Sequence, residues 1–181
     1  MSKKLKTQID QNDHRIGHLH ASAVLVEYAD FECPFCAEAA PLMDDLHHEF
    51  GSDLCFVYRH YPVVVSHPHA NLAALAAEAA DQQGKFWSMH HALFRHSGEL
   101  SREVIYQKAR DIKLDMELFE LDMMRPDLLD RVKRDLNSGI KNEVTGTPTF
   151  YLNGEKFIGE LSTLRERIQM LIDESRAQFS L

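Results

Sequence analysis

The stretch "DFECPFCAEAAPLM" sets Cys33 and Cys36 two residues apart, where an apolar run gives way to a helical pattern. That junction constrains the fold more than any other feature of the chain. Ahead of it, "AVLVEYADF" is apolar, β-branched and too short for a typical helix, which predicts a buried strand over residues 23 to 29. Behind it, residues 34 to 50 are mostly helix formers. Pro34 stands where a first helical turn tolerates a missing N–H, and Gly51 ends the helix.

The remaining pattern extends this start. "DLCFVYRHY" reads as a second strand, and the two prolines of "PVVVSHP" break any regular element after it. From about Pro68 to Asn142 the periodicity is helical throughout. Leu72, Leu75, Ala76 and Ala79 share one face, and Phe86, Met89 and Leu93 another; Ser101 and Asp115 are suited to cap helices and Pro126 to open one. "TPTFYLNGEKFIG" returns to strand character around an Asn153-Gly154 hairpin turn, and Leu164, Ile168, Leu171 and Ile172 line a final helix. With no linker or repeat in view, the helical block reads as an insertion in one α/β fold. A chain of 181 residues is long enough for that and short for two independent domains.

A strand-to-helix junction suits a redox pair. A helix N-terminus offers unpaired N–H groups and partial positive charge, which stabilise a thiolate on Cys33 and lower its pKa. Cys33 is then the exposed nucleophile, and Cys36, one turn deeper, attacks the mixed disulfide and releases the partner. Two other readings stay open on the residues alone, a zinc site and an inert pair. Zinc would need two further ligands. The eleven histidines include the close pairs His67/His69 and His90/His91, but nothing in the sequence fixes them beside Cys33.

Composition narrows the partners. A formal net charge of -8 argues against nucleic acid and anionic lipid surfaces. No stretch approaches the ~20 consecutive apolar residues of a membrane span. "MSKKLKTQIDQNDHR" lacks the apolar segment of a secretory signal, so a cytoplasmic location is expected, with Met1 taken as the natural start. Three cysteines do not make a disulfide framework, and Cys55, inside the second strand, reads as a small buried hydrophobe.

"CPFC" after a strand, a helical block and then "VTGTPTFYLNG" closely resembles the DsbA-like branch of the thioredoxin superfamily, over nearly the whole chain after residue 20. The resemblance implies an α/β thioredoxin fold with a helical insertion: a polar leader over 1–20, the thioredoxin-like domain over 21–66 and 143–181, and the insertion over 67–142. It implies a cis-proline opposite the cysteine pair, here Pro148, with the backbone of Thr147 pairing with an extended substrate. The implied activity is thiol-disulfide exchange with protein or peptide thiols and disulfides, needing no cofactor and no metal, with the electron donor or acceptor and the direction open. Strongly oxidising relatives carry Pro-His between the cysteines; Pro34-Phe35 points to a less oxidising couple. The alternatives are a binding or metal-binding module using the same groove, and a glutathione-linked enzyme acting on small molecules. Relatives of the latter kind commonly lack a resolving cysteine, so Cys36 counts against it.

Glu27 shares an alternating face with Leu25 and Ala29. Burial there would raise its pKa and make it a proton acceptor for Cys36, whereas a strand-edge position facing water would leave it inert. The resemblance also places an acid six residues before the first cysteine. Asp30 and Glu32 are expected in the loop, opposing thiolate formation slightly. Phe86 and Trp87 read as helical core, and His14, His18 and His20 as adventitious metal binders at most.

Overall fold

The computed structural model describes residues 4–96 and 99–178. The first three residues of the polar leader and the last three of the chain lie outside the described residues. The central element is a parallel pair, β2 (Ala23–Ala29) and β3 (Leu54–His60), joined by α1 (Pro34–Phe50). A strand β1 (His14–Ile16) runs antiparallel along β3, β4 (Thr149–Leu152) antiparallel along β2, and β5 (Glu155–Lys156) along β4, giving the order β1-β3-β2-β4-β5. Between β3 and β4 come α2 (Ala70–Asp81), α3 (Phe86–Phe94), α4 (Arg102–Asp111), α5 (Met116–Asp122) and α6 (Pro126–Lys141); α7 (Leu164–Gln178) follows the hairpin.

Local chemistry fixes the boundaries. Cys33 caps α1 in extended conformation with Pro34 in the first turn, and Gly51 ends the helix at a φ of 50° that few L side chains adopt. The Ser101 hydroxyl accepts the Val104 N–H, and the Asp115 carboxylate accepts those of Glu117 and Leu118. Asn153 and Gly154 both have positive φ, as a two-residue turn of this hand requires.

Each face of the sheet is covered. Leu25, Ala29, Phe56 and Tyr58 pack with Cys36, Met43 and Leu46 of α1, with Leu164 and Ile168 of α7, and with the helical block. Val26, Tyr28, Val57 and Tyr151 form a second cluster beneath Leu5 and Ile9, and Cys55 lies fully buried within it. Gly139 lets α6 approach this side, since a Cβ there would come within 2.5 Å of the Tyr61 ring.

Two features depart from the sequence expectation. The segment read as a polar leader contributes β1, whose three residues are too few to show a strand period in sequence and owe their conformation to backbone pairing with β3. In α2 the buried face is made of alanines and Glu78, while Leu72 and Leu75 are half-buried. A helix held close to its neighbours buries small side chains, whereas periodicity gives leucine more weight.

Candidate active site

Cys33 and Cys36 sit at the start of α1, directly beneath the end of β2. The Cys33 N–H donates to the Asp30 carbonyl, and the Cys33 carbonyl accepts from Cys36 and Ala37, so the first helical turn holds the pair. Both are free thiols. Cys33 is the more accessible of the two but only 4% exposed, against 0% for Cys36, so the nucleophile is more sheltered than its predicted position at a helix start suggests. The cause lies opposite: the Cys33 Sγ is 3.3 Å from the Thr147 carbonyl oxygen, in the turn where the Thr147–Pro148 peptide is cis.

The surroundings push the two sulfurs apart in acidity. A hydrogen bond from the Cys36 thiol, working against burial and helped by the Thr147 side chain and the N–H groups of Cys36 and Phe35, lowers the Cys33 pKa to about 5. Cys36 is driven the other way, first by burial, then by its hydrogen bond to Cys33 and the charge of Glu27. One thiol is thus ionised at neutral pH and the other holds its proton tightly.

Glu27 is buried on β2, not solvated at a strand edge, and its Oε1 has no hydrogen-bond partner. Burial, and then the charge of Cys33, raise its pKa to about 8. Its register partner across the parallel pair is Tyr58, whose hydroxyl is also buried and unpartnered. Sequence reasoning missed Tyr58; strand pairing is the signal that finds it, since two parallel strands in register bring Glu27 and Tyr58 onto one face.

Asp30 and Glu32 occupy the loop, as expected, but act as anchors. Asp30 accepts hydrogen bonds from the Val63 N–H at 2.7 Å and the Glu32 N–H at 2.8 Å, and contacts His67 Nδ1 at 2.7 Å. Glu32 accepts from the His69 and Leu100 N–H groups and contacts His69 Nδ1 at 3.1 Å. His67 and His69 are therefore engaged with carboxylates beside the cysteine loop, and His91 with Asp44 of α1 at 2.9 Å. His90 is buried, with both ring nitrogens unpartnered. Phe86 is core, whereas Trp87 is half-buried at its margin.

The family described as Thioredoxin matches residues 10–174. The chain belongs to the thioredoxin family. Its fold is of the DsbA-like kind: a thioredoxin-like oxidoreductase from Silicibacter pomeroyi DSS-3 superposes with a TM-score of 0.79 at 29% identity, covering 93% of this chain and 94% of that one. The thiol-disulfide exchange protein alpha-DsbA2 from Wolbachia pipientis shares the fold at a TM-score of 0.77 and 23% identity, covering 90% of this chain and 88% of its own. A Na(+)/H(+) antiporter, NhaA 1 of Mycolicibacterium vanbaalenii, is 40% identical over 159 residues, 87% of this chain but 26% of that protein. The chain spans about a quarter of the length of such curated relatives. Among the described residues, no helix of this thioredoxin-family chain is long and apolar enough to cross a membrane.

Proposed function

We propose that this chain is a thiol-disulfide oxidoreductase that exchanges disulfides with protein or peptide thiols through Cys33 and Cys36. The observation that carries the reading is the placement of the pair: Cys33 caps α1 against the cis Thr147–Pro148 turn, with Cys36 buried one helical turn on and the carboxyl of Glu27 buried on β2, surroundings that favour a thiolate on Cys33 and a protonated Cys36. The Cys33 thiolate attacks one sulfur of a substrate disulfide, and the other substrate sulfur leaves as a thiolate. Cys36 then passes its proton to the ionised fraction of Glu27 and attacks Cys33, and the second substrate sulfur departs as a thiolate. The substrate gains two electrons and the pair becomes a disulfide. The reverse sequence oxidises a dithiol, and a partner couple of opposite redox state resets the pair. The backbone of Thr147, beside Cys33, offers hydrogen-bonding groups to an extended substrate segment.

Acidity bears on direction, because stabilising the reduced, ionised form favours its formation. A Cys33 pKa of about 5 lies between the roughly 7 of thioredoxin and the roughly 3.5 of DsbA. The expected reduction potential therefore lies between those of the two, about −270 and about −120 mV. Equilibration in glutathione buffers measures it, and insulin reduction with dithiothreitol measures turnover. A protein that forms no Cys33–Cys36 disulfide in those buffers, or does not accelerate insulin reduction, would sink this reading. The antiporter name belongs to much longer proteins, and cation transport is not part of the proposal.

A further inference from the structure

Where β1 and β3 meet the helical block, three side chains from three elements converge. His14 on β1 lies opposite Tyr58 of β3, and His60 is two residues further along β3 on the same face. Glu78 reaches them from α2. Its Oε1 is 2.8 Å from His14 Nε2 and 2.9 Å from His60 Nε2, and the three ligand atoms lie within 4.8 Å of one another. Glu78 is 2% exposed and His60 1%. Burial pushes the Glu78 carboxyl up, but the two imidazole hydrogen bonds outweigh it and hold the group well below the usual carboxylate range.

We propose that His14, His60 and Glu78 form a zinc site. Two imidazole nitrogens and a carboxylate oxygen make a three-ligand set that zinc accepts, with a water in the fourth position. Tetrahedral coordination at about 2.0–2.2 Å separates ligand atoms by about 3.3 Å, so the two short contacts open by only about 0.5 Å when the metal replaces the protons between them. The rings are held in place beforehand. His14 stacks on Phe86 at 3.4 Å between centroids, and His60 sits edge-on to Phe31, Tyr58 and Phe86. Asp81 lies 4.0 Å from His14 Nδ1, on the side where a second carboxylate orients a ligating imidazole. An open cleft of about 640 Å³, lined by His14, Glu78, Asp81 and Trp87 among others, leads to the site and has room for the water. Since the ligands come from the first strand, the third strand and α2, zinc would clamp the N-terminal edge of the sheet to the helical block.

The same three groups would hold together by hydrogen bonds alone if the cluster were only structural, so the test is metal binding itself. The untagged full chain is oxidised first, which removes Cys33 and Cys36 as thiolate ligands, and dialysed against micromolar free zinc. The expected result is one zinc per chain, an affinity at least tenfold weaker in both His14→Ala and Glu78→Gln, and a zinc-dependent rise in melting temperature that both variants lose. Cobalt in place of zinc should give weak visible absorption without the intense near-ultraviolet band of a thiolate ligand, which separates this site from Cys55. Circular dichroism checks that the variants remain folded. No retained zinc in the native chain, or wild-type affinity in either folded variant, overturns the proposal, as does a thiolate signature.

Discussion

Glu27 and Tyr58 face one another across the parallel β2–β3 pair, and each ends in a buried oxygen with no hydrogen-bond partner. An unpaired buried polar group costs about 1–3 kcal/mol. Two of them beneath the cysteine pair therefore mark a place where stability is given up. Burial raises both groups, Glu27 to about 8 and Tyr58 well above its ordinary value, so both favour their protonated forms at neutral pH. A carboxyl that is mostly protonated yet titrates near the working pH is suited to exchange a proton with Cys36.

If the Tyr58 hydroxyl has no partner, Tyr58→Phe keeps the ring stacked on Phe31, whose centroid is 5.4 Å away, and removes only the orphan oxygen. Urea unfolding should then show stability unchanged or raised by about 1 kcal/mol. A loss larger than that would reveal a partner for the hydroxyl, such as a bridging water to Glu27.

Alkylation of reduced protein should titrate with a midpoint near the pKa of about 5 assigned to Cys33. Only the thiolate reacts. Iodoacetamide labelling followed by peptide mapping decides it. Labelling of Cys36 or Cys55 ahead of Cys33 at pH 6 contradicts the assignment of the nucleophile.

The largest influence lowering the Cys33 pKa is the hydrogen bond from the Cys36 thiol. Cys36→Ala should therefore shift the Cys33 alkylation midpoint upward. Cys36→Ser keeps a donor, so its midpoint should move less, while the lost resolving thiol leaves mixed disulfides to accumulate on Cys33. Equal midpoints in the two variants would mean that the helix N-terminus, not the second thiol, controls Cys33.

Glu27 makes a pH-dependent contribution whose sign is fixed by its raised pKa. Below 4.5, its ordinary value, folded and unfolded chains both hold the proton and the folded state keeps its advantage. Between 4.5 and about 8 the unfolded chain ionises while the folded one does not, and stability is lost as pH rises. Wild type should fall relative to Glu27→Gln across that window, with a slope of at most about 1.4 kcal/mol per pH unit, and the window should end at a lower pH in the oxidised protein, where the Cys33 charge that helps to raise Glu27 is gone. A pH-independent difference would show that the carboxyl is solvated. In the reduced protein the same substitution should slow resolution of the mixed disulfide and leave the first attack nearly unchanged.

What the sequence made legible was local. The Cys33–Cys36 junction, the caps at Ser101 and Asp115 and the turn at Asn153-Gly154 are written in adjacent residues, because their chemistry acts over one or two turns of chain. Glu27 was legible from alternation within a single strand. Contacts between distant elements were not: Asp30 with His67, Glu32 with His69, and Glu78 with His60 and His14 join residues 18 to 64 positions apart, and no period links them. Strand β1 belongs with these, since its pairing with β3 is decided by backbone hydrogen bonds that side-chain patterning does not encode.

Asp13 and Arg59 form another long-range link, one that is bidentate and buried. The carboxylate accepts from Arg59 Nε at 2.8 Å and from Nη2 at 3.0 Å, with side-chain exposures of 0% and 3%. The guanidinium also donates to the Thr7 hydroxyl, the Gln8 carbonyl and the Tyr28 hydroxyl, so one arginine fastens the N-terminal segment to the sheet. Burial raises the Asp13 pKa, but the hydrogen bond and charge of Arg59 outweigh it, and the net shift is downward. That stability is present above 3.8, the ordinary value, and is lost as pH falls through the lower folded value. Asp13→Asn leaves Arg59 buried without a countercharge, which costs about 3–5 kcal/mol when a buried pair is broken from one side. The expected result is a lowered urea midpoint at pH 7, with amide exchange rising first in residues 4–16 and only later in β2. A loss below about 1 kcal/mol, or uniform exchange across the sheet, would mean that the segment is held by Leu5 and Ile9 packing rather than by this ion pair.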